Sequence, residues 1–254
     1  MACLDKKLRI ATVALLTVAL VTGLAGCNNS AATSGQATTQ NAANPDDATA
    51  QGPISTLSDA DENGRLASSL PAYIDEVLND PYVSDYERPI LEQAKKEGRV
   101  SAAAYEKVWS DYKTCMVDRG FKEPKLERFP NGMMDIMSHM PGTDAQEEAW
   151  KDAYADCYLR FDHVQRLYGQ QQGNPNLYAN VEEAVVDCMK REGVVPASYT
   201  VKDFNDGYTL LQTEGFADAK DKLGYDFDDS RVRGCKAAQG WSSSSADDPV
   251  EYIW

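Results

Sequence analysis

The feature that most constrains the fold of this chain is an internal repeat displaced by 73 residues. The matched positions are Tyr105 with Tyr178, Val108 with Val181, Cys115-Met116 with Cys188-Met189, and Gly120 with Gly193, and a proline follows each glycine, at positions 124 and 196. Every matched position belongs to an apolar stripe or to a helix stop, which are the positions that a duplicated structural unit keeps. We therefore predict two related helical units, at about 84–166 and 176–241.

The first unit reads as two consecutive helices. Ser84 and Gly98 are the start and stop signals of the first helix, and Ser101 and Gly120 are those of the second. Apolar side chains recur in the second helix at steps of three and four, at Tyr105, Val108, Trp109, Tyr112, Cys115 and Met116. This spacing places them on one face of the helix, so we expect the sulfur of Cys115 to face the core.

A short β-hairpin is expected within the first unit, because Pro130-Asn131-Gly132 is a turn signal between two short runs. The corresponding stretch after Gly193, VVPASYTVKDF, is rich in β-branched residues and is also compatible with extended structure. No alternation of strands and helices supports a parallel sheet. The predicted fold class is mainly α, with two helical units of about 70–75 residues and a short hairpin.

The segment from Ala94 to Phe121 resembles a pattern in largely uncharacterised secreted and lipid-anchored envelope proteins of high-GC Gram-positive bacteria. In that family a G-x-[IV]-[ST]-x-x-x-Y helix start leads to a Y-x-x-C-M-x-x-x-G-[FY] helix end. The residues that carry the pattern here are Gly98, Val100, Ser101, Tyr105, Tyr112, Cys115, Met116, Gly120 and Phe121. The resemblance implies export and disulfides, but no activity.

The first 26 residues have the pattern of an export signal. Lys6, Lys7 and Arg9 form a positive start, and residues 10–21 are uncharged and apolar apart from two threonines. Counted through Leu24, the apolar run is about 15 residues long, shorter than the roughly 20 residues of a membrane-spanning helix. We expect residues 1–26 to be a signal peptide rather than a retained anchor helix.

The signal ends in Leu24-Ala25-Gly26-Cys27, which resembles the lipobox of bacterial lipoproteins. In those proteins the cysteine sulfur receives diacylglycerol and the peptide is cut directly before it. The resemblance implies that Cys27 is the lipidation site; a plain signal peptide with an incidental cysteine is the alternative. Two acyl chains on one residue anchor a protein stably, so the expected location is extracytoplasmic, on the cell membrane.

Residues 28–52 contain no aromatic residue and no Leu, Ile or Val. Such a segment cannot bury enough apolar surface to offset the entropy of ordering it. We expect a lipid anchor and flexible tether at 27–57, with a root-mean-square reach of roughly 25–30 Å for the polar part. The remaining residues, 58–254, are then one disulfide-braced helical domain.

Four cysteines remain in that domain: Cys115, Cys157, Cys188 and Cys235. An even number in an exported chain favours two disulfides. A zinc site of four thiolates is the alternative, but structural zinc ligands normally come as close C-x₂₋₄-C pairs, and no metal is expected here. Three pairings are open to four cysteines. If each unit has its own bridge, Cys115 pairs with Cys157 and Cys188 with Cys235.

Loss of residues 1–26 leaves 22 basic and 39 acidic residues, a formal net charge of −17. A chain with this charge is repelled by nucleic acid and by anionic lipid headgroups, so no nucleic-acid partner is expected. Acidity alone does not indicate an acidic active site, because such charge usually lies on a solvated surface.

Two short motifs match parts of known sites and are interpreted as ordinary surface, and the two histidines match none. Residues 59–64, DADENG, match half of a calcium loop, but Leu70 stands where a bidentate Glu is needed. Ser110 and Lys113 fit S-x-x-K, yet no K-T-G follows and the required scaffold is absent. His139 and His163 have no metal-ligand spacing, and we expect His163 to be at the surface or half-buried.

These observations predict a lipid-anchored interaction or accessory protein of the cell envelope, without catalytic residues or cofactors. Its partners would be the membrane, through the N-terminal lipid, and an envelope protein. One alternative is a small hydrolase acting on peptidoglycan, which needs two acids roughly 5–10 Å apart. Another is the solute-binding component of a transporter, which the size and helical composition do not favour. A carboxylate pair in a cleft would favour the hydrolase.

The C-terminal sequence is polar from Ser242 to Asp248 and then ends in Val250, Tyr252, Ile253 and Trp254 around Glu251. A concentrated apolar end after a spacer is expected to dock, because one buried aromatic side chain is worth a few kcal/mol. Docking onto the chain's own helices is the simpler expectation, and docking onto an envelope partner is the alternative.

Overall fold

The computed structural model describes residues 60–244 and 248–254. The helices in this part of the chain are α1 Leu70–Asn79, α2 Arg88–Glu97, α3 Ala102–Asp118, α4 Asp144–Tyr158, α5 Asp162–Gly173, α6 Val181–Arg191, α7 Val201–Glu214, α8 Phe216–Ala219 and α9 Ser230–Ala237. One hairpin joins β1 Leu126–Arg128 to β2 Met134–Ile136. The predicted class, mainly α with a short hairpin, is confirmed. None of the described helices has the length and apolar character of a membrane span.

Helix α3 has the boundaries that the sequence predicts. The Ser101 hydroxyl accepts a hydrogen bond from the Ala104 N–H at 3.2 Å, and Gly120 follows the helix at φ +95°. Helix α2 ends as predicted at Gly98, with φ +72°, but begins at Arg88 rather than directly after Ser84. The reason is that the Ser84 hydroxyl donates a hydrogen bond to the distant Arg160 carbonyl at 2.6 Å, which holds Ser84 in a preceding turn.

The described residues contain two clusters of buried apolar side chains, which correspond in part to the two predicted units, since the first cluster also includes Tyr73 and Ile74 of α1 and Ala237 of α9. The first is centred on α3 and α5, with Trp109, Tyr105 and Leu167 almost fully buried. The second gathers α6, α7 and α9, with Val185 and Val232 at its centre. Two related helical units are therefore confirmed.

The repeat is not exact at its start. Tyr105 lies inside α3 and stacks on Tyr168 at 3.8 Å, whereas its match Tyr178 precedes α6, which begins at Val181. The stretch 194–204, whose composition is compatible with extended structure, does not form a strand. Thr200 caps α7 within it, and the Thr200 hydroxyl accepts a hydrogen bond from the Asp203 N–H at 3.1 Å. In this case a capping box overrides the β-branched composition.

Each unit has one disulfide, with the pairing predicted from the repeat. Cys115 in α3 is bonded to Cys157 in α4, with a Cα–Cα distance of 5.7 Å. Cys188 in α6 is bonded to Cys235 in α9, with a Cα–Cα distance of 5.6 Å. Each bridge therefore joins the cysteine helix of its unit to a later helix of the same unit.

His163 is buried, so the expectation of a surface or half-buried position is wrong. Its ring Nδ1 lies 3.1 Å from Glu87 Oε2 and its Nε2 lies 3.6 Å from Asp80 Oδ2. Glu87 is fully buried and also accepts hydrogen bonds from the backbone N–H groups of His163 and Val164, at 2.6 and 3.3 Å. Glu87 thus neutralises the N-terminal end of α5, where N–H groups lack partners within the helix.

The C-terminal residues dock onto the first unit. The Glu251 N–H donates to the Ser138 carbonyl at 3.0 Å and its carbonyl accepts from the Met140 N–H at 2.8 Å. On the opposite side, the Ile253 carbonyl accepts from the Lys122 N–H at 2.9 Å. The end of the chain therefore lies between the segment that leads into β1 and the segment that leaves β2. The tail thus docks onto its own chain, as the simpler expectation has it, but its backbone pairs with the segments that flank the hairpin rather than with helices.

Candidate functional site

The candidate site is a cavity of about 410 Å³ between the hairpin, α9 and the segment that leads to the C-terminus. We call it the acidic pocket, because three of its lining residues are Glu127, Asp135 and Asp248. The others are Leu126, Ile136, Met137, Ser138, Arg233, Ser242, Ser243, Ser244 and Pro249. Ligand sites are typically concave, apolar in part and supplied with a few convergent polar groups, as this cavity is.

Arg233 organises the polar side of the pocket from α9, and it is only 6% exposed. Its guanidinium forms a bidentate pair with Asp248, with both N–O distances at 2.8 Å. It also donates to Glu127 Oε2 at 2.6 Å and to the Ser243 carbonyl at 2.9 Å. A guanidinium suits this position because its planar fork binds carboxylates in a fixed geometry.

Glu127 and Asp135 are direct partners in the antiparallel register of the hairpin. Partners in a register have side chains on the same face of the sheet, with Cβ atoms about 4.5–5.5 Å apart. Burial raises the pKa of Glu127, and the charge of Arg233 opposes this, whereas Asp248 and Asp135 add to it. The pocket therefore holds two neighbouring carboxyls whose charged forms are disfavoured.

Asp135 is bonded differently from the other two acids. Burial raises the pKa of Asp135, partly opposed by hydrogen bonds from the Ile136 N–H, at 2.8 Å, and the Ser242 hydroxyl. Arg233 acts on Asp135 through its charge, while its hydrogen bonds go to Glu127 and Asp248. Among the carboxylates of the pocket, the ionised form of Asp135 would therefore be stabilised most by an added positive charge.

The hairpin turn fixes α9 against the strands. The Asn131 amide donates to the Gly234 carbonyl at 2.7 Å. A Cβ atom at Gly234 would lie 2.9 Å from both the Asn131 Oδ1 and the Phe129 Cβ, so a side chain there would push the helix away. Glycine at 234 therefore allows the close approach that brings Arg233, its neighbour, to Glu127.

A larger cavity of about 500 Å³ lies between α3 and β1, and it contains the S-x-x-K residues Ser110 and Lys113. Its rim charges are already paired, since Lys113 contacts Glu123 at 2.7 Å and Arg128 contacts Glu106 at 3.1 Å. The amine of Lys113 is thus directed to Glu123, whereas acyl transfer needs a base directed to the nucleophile. For this reason the acidic pocket is the better candidate for a functional site.

The other residues singled out in the sequence do not converge on this pocket. Leu24, Ala25, Gly26 and Cys27 lie outside the described residues, as do Asp59 and the expected tether. Asp61 forms a turn in which its carboxylate accepts from the Asn63 and Arg65 N–H groups, at 2.8 and 2.9 Å. Within residues 60–244 and 248–254, no group of three or more His, Cys, Asp or Glu side chains is arranged to hold a metal ion.

Sequence reasoning did not find the acidic pocket. Its charged residues come from three distant places, the hairpin, α9 and Asp248, and 39 acids offer no way to choose among them. The neighbourhood of Arg233 gave no signal either, because Cys235 is two positions away and residues two positions apart on a helix do not share a face.

The fold and the pocket together define an extracytoplasmic class of protein: a mainly helical domain with one disulfide in each of two units, since such bridges indicate an oxidising compartment. The chain matches no protein-family model, and no match was found among curated proteins or solved structures.

Proposed function

We propose that the chain is a lipid-anchored interaction protein of the cell envelope, and that its acidic pocket binds a positively charged group of an envelope component. The anchor is the lipobox at Leu24 to Cys27, which follows a positive and then an apolar segment. The observation that carries the binding proposal is the pocket itself, where three carboxylates face one guanidinium.

A primary ammonium group fits the pocket best. With all three acids ionised the pocket has an excess of negative charge, and Arg233 is already bonded to Glu127 and Asp248. An ammonium group beside Asp135 would favour the ionised form of the Asp135 carboxyl. Its charge would replace the stabilisation by water that the carboxylate loses on burial. The aliphatic side chains of Met137 and Pro249 in the lining would contact the methylene groups of an aliphatic amine.

The binding proposal is tested with a plain diamine, 1,5-diaminopentane, and its uncharged analogue 1,5-pentanediol. We expect calorimetric titration to detect the diamine and not the diol. Asp135→Asn should weaken diamine binding about tenfold or more, which corresponds to about 1.4 kcal/mol. Asp118→Asn, at the exposed end of α3, is the matched control and should bind as the parent chain does. Equal binding of diamine and diol, or none of either, would refute this role of the pocket.

The anchor is tested separately. Cys27→Ala should abolish diacylglycerol labelling and move the protein from the detergent phase to the aqueous phase. Recovery of an unlipidated mature chain that begins at another residue would remove the lipoprotein assignment, while leaving the pocket proposal intact.

A hydrolase acting on peptidoglycan is the second candidate, and it has one specific observation in its favour. Glu127 and Asp135 are neighbouring acids in a cavity, and burial raises the pKa of both, as for a general acid. Against it, Glu127 is hydrogen-bonded to Arg233 at 2.6 Å, which leaves it poorly placed to transfer a proton. Release of soluble sugar from peptidoglycan by the parent chain, abolished in Asp135→Asn, would replace the non-catalytic proposal.

A further inference from the structure

The docked C-terminus has one face towards the protein and one face towards solvent. Glu251 and Ile253 are buried, with 8% and 2% exposure. Val250 and Tyr252 alternate with them and are 48% and 66% exposed. This is the alternation of an extended strand, in which successive side chains point to opposite sides. The apolar residues that face outward are therefore held there by the backbone pairing of the tail.

Neighbouring apolar side chains extend this outward face. Met140 is 37% exposed, and its carbonyl accepts the indole N–H of Trp254 at 2.9 Å. Trp254 is itself half-buried, and its ring contacts Phe121 and His139 at centroid distances of 5.8 and 5.4 Å. We call Met140, Val250, Tyr252 and Trp254 the C-terminal face. It holds three of the six large apolar residues that are exposed in the described part of the chain.

Lysines flank the C-terminal face in a chain that is otherwise strongly acidic. The Lys122 N–H binds the Ile253 carbonyl, and the Lys125 N–H binds the Glu251 carboxylate at 3.0 Å. Both lysine side chains are exposed at the surface. Burial raises the pKa of Glu251, and the hydrogen bond from the Lys125 N–H and the charges of Lys125 and Lys113 oppose this rise, so both lysines lie near the tail.

We propose that the C-terminal face contacts the surface of the lipid bilayer. Tyr and Trp are enriched where membranes meet water, and lysines extend their charges from such surfaces towards lipid headgroups. The face is too small for a stable protein interface, which takes about 20–30 residues from each side. A bilayer does not require shape complementarity, so the four apolar side chains and the two flanking lysines are sufficient for a weak contact.

The contact gains its strength from the tether and in this respect rests on the proposed lipid anchor. A chain attached to the membrane through a flexible segment meets the surface at a high effective concentration, so a weak second contact becomes populated. The same logic explains why one acyl chain binds a membrane only marginally and a second signal makes the attachment stable. The C-terminal face would set the orientation of the domain, with the tail side on the membrane.

The test replaces the natural anchor, so that it does not depend on lipidation. The mature chain with Cys27→Ser and an N-terminal hexahistidine is attached to vesicles of phosphatidylcholine, a minority of phosphatidylglycerol and a trace of nickel-chelating lipid. Brominated phosphatidylcholine then quenches tryptophans that reach the bilayer. The signal of Trp254 is the difference between the parent chain and Trp254→Phe. We expect measurable quenching of Trp254 and a reduction of roughly twofold or more in the double variant Val250→Ser, Tyr252→Ser.

Tyr82→Ser and Tyr208→Ser are the matched controls, because these tyrosines are 52% and 55% exposed and lie elsewhere. They should leave the quenching unchanged, and all the serine variants should keep the parent unfolding temperature, since the replaced side chains are exposed to solvent. Absence of lipid-dependent quenching of Trp254, or equal quenching in the double variant, would overturn the proposal. Neither result bears on lipidation of Cys27, which the detergent-partition experiment decides.

Discussion

Arg233 and Glu127 are 106 residues apart in the sequence and are joined by an ion pair of 2.6 Å. The pair connects α9 of the second unit to the hairpin of the first. Because Arg233 also binds Asp248, one guanidinium connects the two units to each other and to the start of the C-terminal segment. A single side chain therefore links parts of the fold that the disulfides, each confined to one unit, leave unconnected.

Arg233→Met should lower the free energy of unfolding by about 3–5 kcal/mol at pH 7, because it leaves buried carboxylates without a partner. The loss should shrink between pH 7 and pH 5, as the Glu127 carboxyl, whose pKa is raised by burial, takes up protons. Urea unfolding at both pH values measures the effect. Arg231→Met is the control, since its pair with Asp229 is exposed and worth at most about 1 kcal/mol. A loss equal to that of the control would mean that the arginine is not a link between the units.

Deletion of Pro249 to Trp254 should destabilise the isolated domain clearly. Most of the effect should come from Ile253, which is 2% exposed, so Ile253→Ala alone should cost about 2 kcal/mol or more. Tyr252→Ala is the internal control, because its side chain faces solvent and should change stability by less than about 0.5 kcal/mol. Thermal unfolding distinguishes the three chains. An unchanged midpoint after deletion would show that the tail does not stabilise the domain.

Lys236 should make stability depend on pH. It is only 6% exposed, and burial, together with the charge of Arg233, lowers its pKa from 10.5 to about 8. Between pH 8 and 10.5 the unfolded chain therefore binds more protons at this site than the folded chain does, so its contribution to stability rises with pH in that window and is lowest below it. The full pKa shift of Lys236 corresponds to about 3 kcal/mol in the free energy of unfolding.

Lys236→Met removes this cost and loses a cation–π contact with Phe227, in which the ammonium lies 3.8 Å from the ring centroid. The variant should be more stable than the parent at pH 7 by about 1 kcal/mol, and the difference should fall as the pH approaches 9. Lys222→Met, at an exposed ion pair with Glu214, should show no such trend. A constant difference from pH 7 to 9 would contradict a lowered pKa at Lys236.

Removal of either disulfide should cost about 2–5 kcal/mol, because the loops closed by the bridges span 42 and 47 residues. The two losses, measured on the double alanine variants of each bridge, should be close to additive, since the bridges lie in separate apolar clusters. Non-reducing peptide mapping of the parent chain checks the pairing. A peptide joining Cys157 to Cys188 would refute the one-bridge-per-unit arrangement.

The sequence predicted the features of the fold that depend on neighbouring residues. The apolar stripe of α3, the stop at Gly98 and the turn at Pro130-Asn131-Gly132 follow from spacing and backbone preference. The disulfide pairing could also be predicted, because the repeat assigns two cysteines to each unit and one bridge within each unit is then the simplest arrangement. Where a local signal competed with another, as at Thr200, the capping interaction decided the outcome.

The acidic pocket and the buried His163 depend on contacts that local patterns do not encode. Glu87 reaches His163 across 76 residues, and nothing in either neighbourhood marks the partner. The burial of Lys236 is of the same kind, since two aromatic rings from the preceding loop cover it. Such pairs are selected by the packing of whole helices, so they become visible only with the assembled fold.

The bridges join neighbouring cysteines in chain order, the first with the second and the third with the fourth. In a polypeptide that crosses a membrane from its N-terminus, Cys115 and Cys157 emerge together before Cys188 is available. The first bond can thus form while no competing thiol of the later helices has arrived, and the second then forms between Cys188 and Cys235. Oxidation during translocation then yields the native connectivity without a reshuffling step.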